Sequence, residues 1–65
     1  MSAELLDLTL SQHAETDRAY GVSDTGDRAD IVWLPKSQVE RGARKSAGIY
    51  EFTVPEWLAL DKGLI

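Results

Sequence analysis

The sequence predicts one small α+β domain, residues 1–65: a strongly curled, barrel-like antiparallel sheet of four to five short strands with a single C-terminal α-helix at its end. Three observations predict it. Leu6, Leu8 and Leu10 alternate with Asp7, Thr9 and Ser11, and Tyr50, Phe52 and Val54 alternate with Glu51 and Thr53, the period-two signature of half-buried strands. Between them lie stretches dense in Gly, Asp and Ser, where an antiparallel chain reverses. Near the end, Pro55 and the pair Lys62-Gly63 bracket a short helical segment.

Taken in order, strand one runs through Leu6 to Leu10, and Glu15-Thr16-Asp17 supplies the turn into a second short strand, Ala19 to Val22. Ser23-Asp24-Thr25-Gly26-Asp27 is a second reversal, with Gly26 able to take a positive φ. Ile31 to Leu34 is strand three. Pro35 has no N–H to give to a ladder, so it closes that strand, and Lys36-Ser37-Gln38 reads as one 3₁₀-like turn. A short strand at Val39-Glu40 follows, then Arg41 to Gly48 as the longest loop, then the final strand, Ile49 to Val54. Pro55 holds Val54 extended and opens a helix over about 55–62. Glu56 and Lys62 carry the charges that its two ends favour. Gly63 is its left-handed cap, with Leu64 folding back on Leu58 or Ala59 and Leu60 partly exposed. Trp33 and Trp57 are both expected in the core.

A domain of 65 residues buries roughly 60% of its unfolded surface. There is no cysteine to add a disulfide or a thiolate metal site, and one histidine rules out a multi-histidine zinc centre. No cofactor is expected. No apolar run approaches the ~18 residues of a membrane span and no signal-like segment opens the chain, so no membrane association is expected. The net charge of −4 is uneven: residues 1–30 carry seven acids against two arginines, whereas residues 31–65 carry four acids against five bases. Such a field repels phosphate backbones and suits a cationic partner; the plainer account is that acids keep a small domain soluble.

Few residues suggest chemistry. Asp24, Asp27 and Asp30 recur around Gly26 but lack the ligand order of a calcium loop, which makes a solvated acidic turn the simpler account. Ser11, His13 and Glu15 contain the residue types of a triad, yet their spacing on a strand makes no relay, and His13 reads as an exposed strand residue. A chain this short offers little shelter for a reaction, and no enzyme activity is expected. Lys36, Arg41, Arg44 and Lys45 gather four of the seven cations, with Trp33 and Tyr50 as conceivable stacking platforms for nucleic acid. The bland reading there is a solvated loop beside core aromatics.

The segments Val32-Trp33-Leu34-Pro35-Lys36-Ser37-Gln38-Val39, Val54-Pro55-Glu56-Trp57-Leu58-Ala59 and Lys62-Gly63-Leu64-Ile65 resemble a set of very small proteins encoded by bacteriophages and prophages. The likeness covers most of the chain from Glu15 onward, and its motifs are the strand end, turn and capped helix derived above. The basic stretch from Arg41 to Gly48 departs from the pattern.

The resemblance implies a phage protein, and short, acidic, cysteine-free phage proteins are often inhibitors of host defence. The expected function is therefore non-enzymatic inhibition of a cationic, nucleic-acid-handling complex in the bacterial cytoplasm. An anti-CRISPR protein acting on a type I (Cascade) effector is the most concrete form. The chain would act as a monomer that mimics DNA with Glu15, Asp17, Asp24, Asp27 and Asp30, and nucleic acid itself is not the expected partner. The alternatives are an accessory module that contacts nucleic acid through the sheet and the basic loop, and a structural adaptor.

Overall fold

The computed structural model describes residues 4–65 and contains five strands and one helix. β1 spans Leu5–Glu15, β2 Ala19–Ser23, β3 Val32–Pro35, β4 Glu40–Ser46 and β5 Ile49–Pro55, followed by α1 at Glu56–Asp61. All pairings are antiparallel, and the order across the sheet is β3-β2-β1-β5-β4.

β1 is long because it serves two neighbours. Its first half pairs with β5, from Leu5 opposite Pro55 to Ser11 opposite Ile49, and its second half pairs with β2, from Ser11 opposite Ser23 to Glu15 opposite Tyr20. The register slips between Gln12 and Ala14, so His13 is the extra residue of a bulge, the device that bends a strand and re-aims its side chains. Across this bend the Tyr20 ring of β2 meets Phe52 of β5 edge-on, with centroids 5.4 Å apart.

The alternation read from the sequence decides which face is buried. Leu6 lies opposite Val54, Leu8 opposite Phe52 and Leu10 opposite Tyr50. The core gathers Leu10, Val22, Leu34, Phe52 and Val54 with Leu58, Ala59 and Leu64 from the C-terminal segment. The helix is tied in at both ends: Glu56 donates its N–H to the Glu4 carbonyl at 2.7 Å, and Gly63 takes a φ of 73° beyond its last turn. There the Gly63 N–H bonds to Leu60 O and the Leu64 N–H to Ala59 O, which is the expected Schellman ending, with Leu64 buried beside Leu58 and Ala59.

The structure corrects several expectations. The sheet is open, with β3 and β4 as free edges, so the strongly curled, barrel-like form is not supported. Its edges are protected instead by Pro35 on β3 and by charged side chains and two register shifts on β4. The basic stretch is a strand, not a long loop: Glu40–Ser46 pairs with β5 and turns back through Ala47 and Gly48. All seven of its residues are exposed, so no alternation announced it; the ladder offered by β5 makes it a strand. The connection between β2 and β3 contains a 3₁₀ turn at Arg28–Asp30, whereas Lys36 to Gln38 is the expected tight turn, closed by Gln38 N–H to Pro35 O.

Both tryptophans are on the surface. In the apolar run Ile31 to Leu34, strand geometry sends Val32 and Leu34 inward and Trp33 outward, where it is 42% exposed. Trp33 lies over Gly21, its cross-strand partner; a Cβ on Gly21 would come within 3.0 Å of the indole ring. Trp57 is 52% exposed because Leu58 and Ala59 take the buried side of the helix, and Leu60 is exposed with it as expected.

Candidate functional site

The acidic residues fall into two groups at opposite ends of β2. Glu15 and Asp17 flank the β1–β2 turn, whereas Asp24, Asp27 and Asp30 lie on the β2–β3 connection. A five-residue strand separates the groups by roughly 15 Å. The five do not share one end of the sheet.

The connection itself is held in a fixed shape. Gly26, at a φ of 84°, donates its N–H to Ser23 Oγ. Thr25 Oγ1 donates to Asp30 Oδ2 at 2.8 Å and accepts from the Asp27 N–H. The Asp27 carboxylate caps the 3₁₀ turn by accepting from the Ala29 N–H at 2.9 Å. All three aspartates are exposed, and none forms an ion pair among the described residues. The one cation within the connection, Arg28, donates to the His13 carbonyl instead.

Ser23 anchors this loop to the sheet. It is the one fully buried polar side chain among the described residues, and its Oγ lies 2.7 Å from His13 Nε2. That oxygen accepts from the Gly26 N–H and shares a hydrogen bond with His13 Nε2, so one hydroxyl joins the loop to β1. His13 is thus half-buried at the bulge rather than an exposed strand residue, and its partner is Ser23, not Ser11. The sequence did not point to this pair, because the bulge that aims His13 at β2 has no composition signal.

Glu15 is occupied. It pairs with Lys36 at 2.6 Å and with Arg41 at 3.2 Å, and Gln12 completes the cluster. The Arg41 guanidinium sits 5.1 Å from the centre of the Tyr20 ring and 4.8 Å from that of Tyr50, and the Lys36 ammonium lies 5.0 Å from Tyr20. The hydrogen bond from Lys36 lowers the Glu15 carboxyl below its ordinary 4.5; partial desolvation opposes that, and the charges of Lys36 and Arg41 reinforce it. This cluster clasps β1, β2, β4 and β5 together. Tyr20 and Gln12 were not singled out from the sequence, since Arg41 could not be placed while β4 read as loop.

Of the four cations considered for nucleic acid, Lys36 and Arg41 serve Glu15 and Lys45 pairs with Glu51 at 3.6 Å, which leaves Arg44 without an ion pair among the described residues. Tyr50 lies beside Arg41 as imagined, but Trp33 stands on the far edge strand. The surface depressions are shallow. One, of about 450 Å³, runs between Asp24, Asp30 and Val32 on one side and Lys62, Gly63 and Leu64 on the other. Among the described residues no group of three His, Asp or Glu side chains could hold a metal ion, and no helix is long and apolar enough to cross a membrane. Compared with protein-family models, curated proteins and solved structures, the chain matches none.

Proposed function

We propose that the chain is a non-catalytic inhibitor that presents Asp24, Asp27 and Asp30 to the cationic surface of a nucleic-acid-handling protein. The observation that carries this reading is the connection itself: three exposed carboxylates with no ion pair among the described residues, of which Asp30 is held by Thr25 Oγ1 and Asp27 by the Ala29 N–H. Fixed charges spend less ordering entropy on binding than mobile ones and steer encounter with an opposite field. Glu15 leaves the proposed contact set, because Lys36 and Arg41 already neutralise it, and Asp17 lies apart from the other three.

The resemblance to small phage and prophage proteins supplies the concrete form: an anti-CRISPR protein, acting in the bacterial cytoplasm on the DNA-binding surface of a type I (Cascade) effector. The alternative, nucleic-acid contact through the sheet and the basic strand, draws less support, since three of its four cations are paired internally. The test is competition. A purified Cascade complex and labelled target DNA are mixed with the protein at low and moderate salt, and the protein alone is mixed with the same DNA. Displacement of DNA from the complex, stronger at low salt, is the expected result; retention of DNA by the protein alone, with no displacement, rejects the inhibitor reading.

A further inference from the structure

The outward face of α1 is built the wrong way round for a solvated helix. With about 100° of turn per residue, Leu58 and Ala59 mark its buried side, and Trp57 and Leu60 fall together on the opposite side. They are 52% and 59% exposed, the centre of the solvent face. Glu56 lies at one flank of that apolar pair and Asp61 at the other, and the exposed Glu4 sits beside the helix start, where its carbonyl accepts from the Glu56 N–H. Lys62, which follows α1 directly in sequence, lines the depression with Asp24 and Asp30 instead.

We infer that Trp57 and Leu60 form the anchor of the protein interface, and that they receive an amphipathic helical segment whose apolar stripe is bordered by Lys or Arg. This rests on the cationic-partner reading above and names where such a partner is gripped. Charge complementarity selects the occupant. Two copies of this chain joined helix to helix would set Glu56 and Asp61 of one against the same acids of the other. An anionic lipid surface would meet the same carboxylates. A basic amphipathic segment satisfies both parts of the face, since a partly exposed indole is well suited to an interface anchor and the flanking acids pair with cations at the rim.

A fluorescein-labelled synthetic helix of Leu and Lys is the probe, with a scrambled peptide of the same composition and a Leu/Glu helix as controls. The full chain carries Trp33→Phe, so that emission reports Trp57 alone. Binding of the Leu/Lys helix with a blue shift of Trp57 emission is expected, and Trp57→Ala, Leu60→Ser and the double variant Glu56→Lys/Asp61→Lys should each weaken it by about tenfold or more. The triple change of Asp24, Asp27 and Asp30 to Asn should weaken it by no more than about threefold, because attraction without contact is screened. Absence of binding, equal binding of the scrambled or Leu/Glu peptide, or an unchanged affinity in Trp57→Ala overturns the inference. So does a dimer of the free chain that Trp57→Ala dissociates, or preferential binding to phosphatidylglycerol vesicles. Loss of binding in the triple aspartate variant alone rejects the helix face and leaves the acidic connection standing. Loss in Trp57→Ala alone supports the helix face, and the DNA-competition result then judges the connection separately.

Discussion

At the scale of single residues, two polar side chains do most to join strands that the backbone ladder alone would leave loosely related. Glu15 reaches Lys36 after β3 and Arg41 on β4, and its carboxyl titrates below the ordinary 4.5 chiefly because Lys36 hydrogen-bonds its charged form. A carboxyl whose pKa is lower folded than unfolded stabilises the fold above the unfolded value, and that contribution disappears as pH falls through the folded value. Melting curves of the parent and Glu15→Gln should therefore differ at neutral pH and converge on acidification below 4.5; a constant gap at every pH would mean that the ion pairs contribute nothing. Ser23 matters through burial rather than charge. Its hydroxyl serves both Gly26 N–H and His13 Nε2, so Ser23→Ala strands two polar groups, a loss of about 1–3 kcal/mol in denaturant unfolding. The same variant should also loosen the acidic connection, seen as faster amide exchange at Gly26. An unchanged exchange rate would show that the bonds of Thr25, Asp27 and Arg28 hold the loop without Ser23.

At the scale of elements, what could be read from the sequence was what burial writes into it. Leu6, Leu8 and Leu10, and Phe52 and Val54, alternate because one face of β1 and β5 is packed, and the helix announced itself through Pro55 and Gly63, whose backbone preferences are local. β4 was illegible for the opposite reason: exposed on both faces, it carries no alternation and exists because β5 offers it a ladder. The tryptophans were misplaced because size argues for burial, whereas position decides it. Trp33 takes the outward place between Val32 and Leu34, and Trp57 the outward place beside Leu58 and Ala59. The contrast is measurable. Phe52, with no exposed surface, should cost about 3–5 kcal/mol on replacement by Ala. Trp57→Ala should cost under about 1 kcal/mol, as surface changes do. Comparable losses in the two variants would return Trp57 to the core and remove the anchor proposed for α1.

For the molecule as a whole, the candidate site was legible as composition but not as geometry. The count of acids in residues 1–30 pointed to a negative half, yet only the fold shows that Glu15 is neutralised by partners from the basic half, and that β2 holds Asp17 away from Asp24, Asp27 and Asp30. What remains is a charge separation across the sheet: the acidic connection between β2 and the edge strand β3, and on the opposite edge, β4, Arg44 without an ion pair among the described residues beside the paired Arg41 and Lys45. A separated field of this kind acts mainly on the rate of encounter. Changing Asp24, Asp27 and Asp30 together to Asn removes the negative pole while keeping oxygen acceptors for Ala29 N–H and Thr25 Oγ1, so the melting temperature should move by only a few degrees. If the proposed function holds, association with a Cascade complex at low salt slows on the order of tenfold in this variant, and its dependence on salt flattens. Neutralising Arg44 and Lys45 to Gln should leave that rate unchanged or raise it slightly, because it lessens the opposing pole. Association rates measured at several ionic strengths decide between the poles: a triple variant that binds as fast as the parent, beside an Arg44/Lys45 variant that binds slowly, would transfer the working surface to β4.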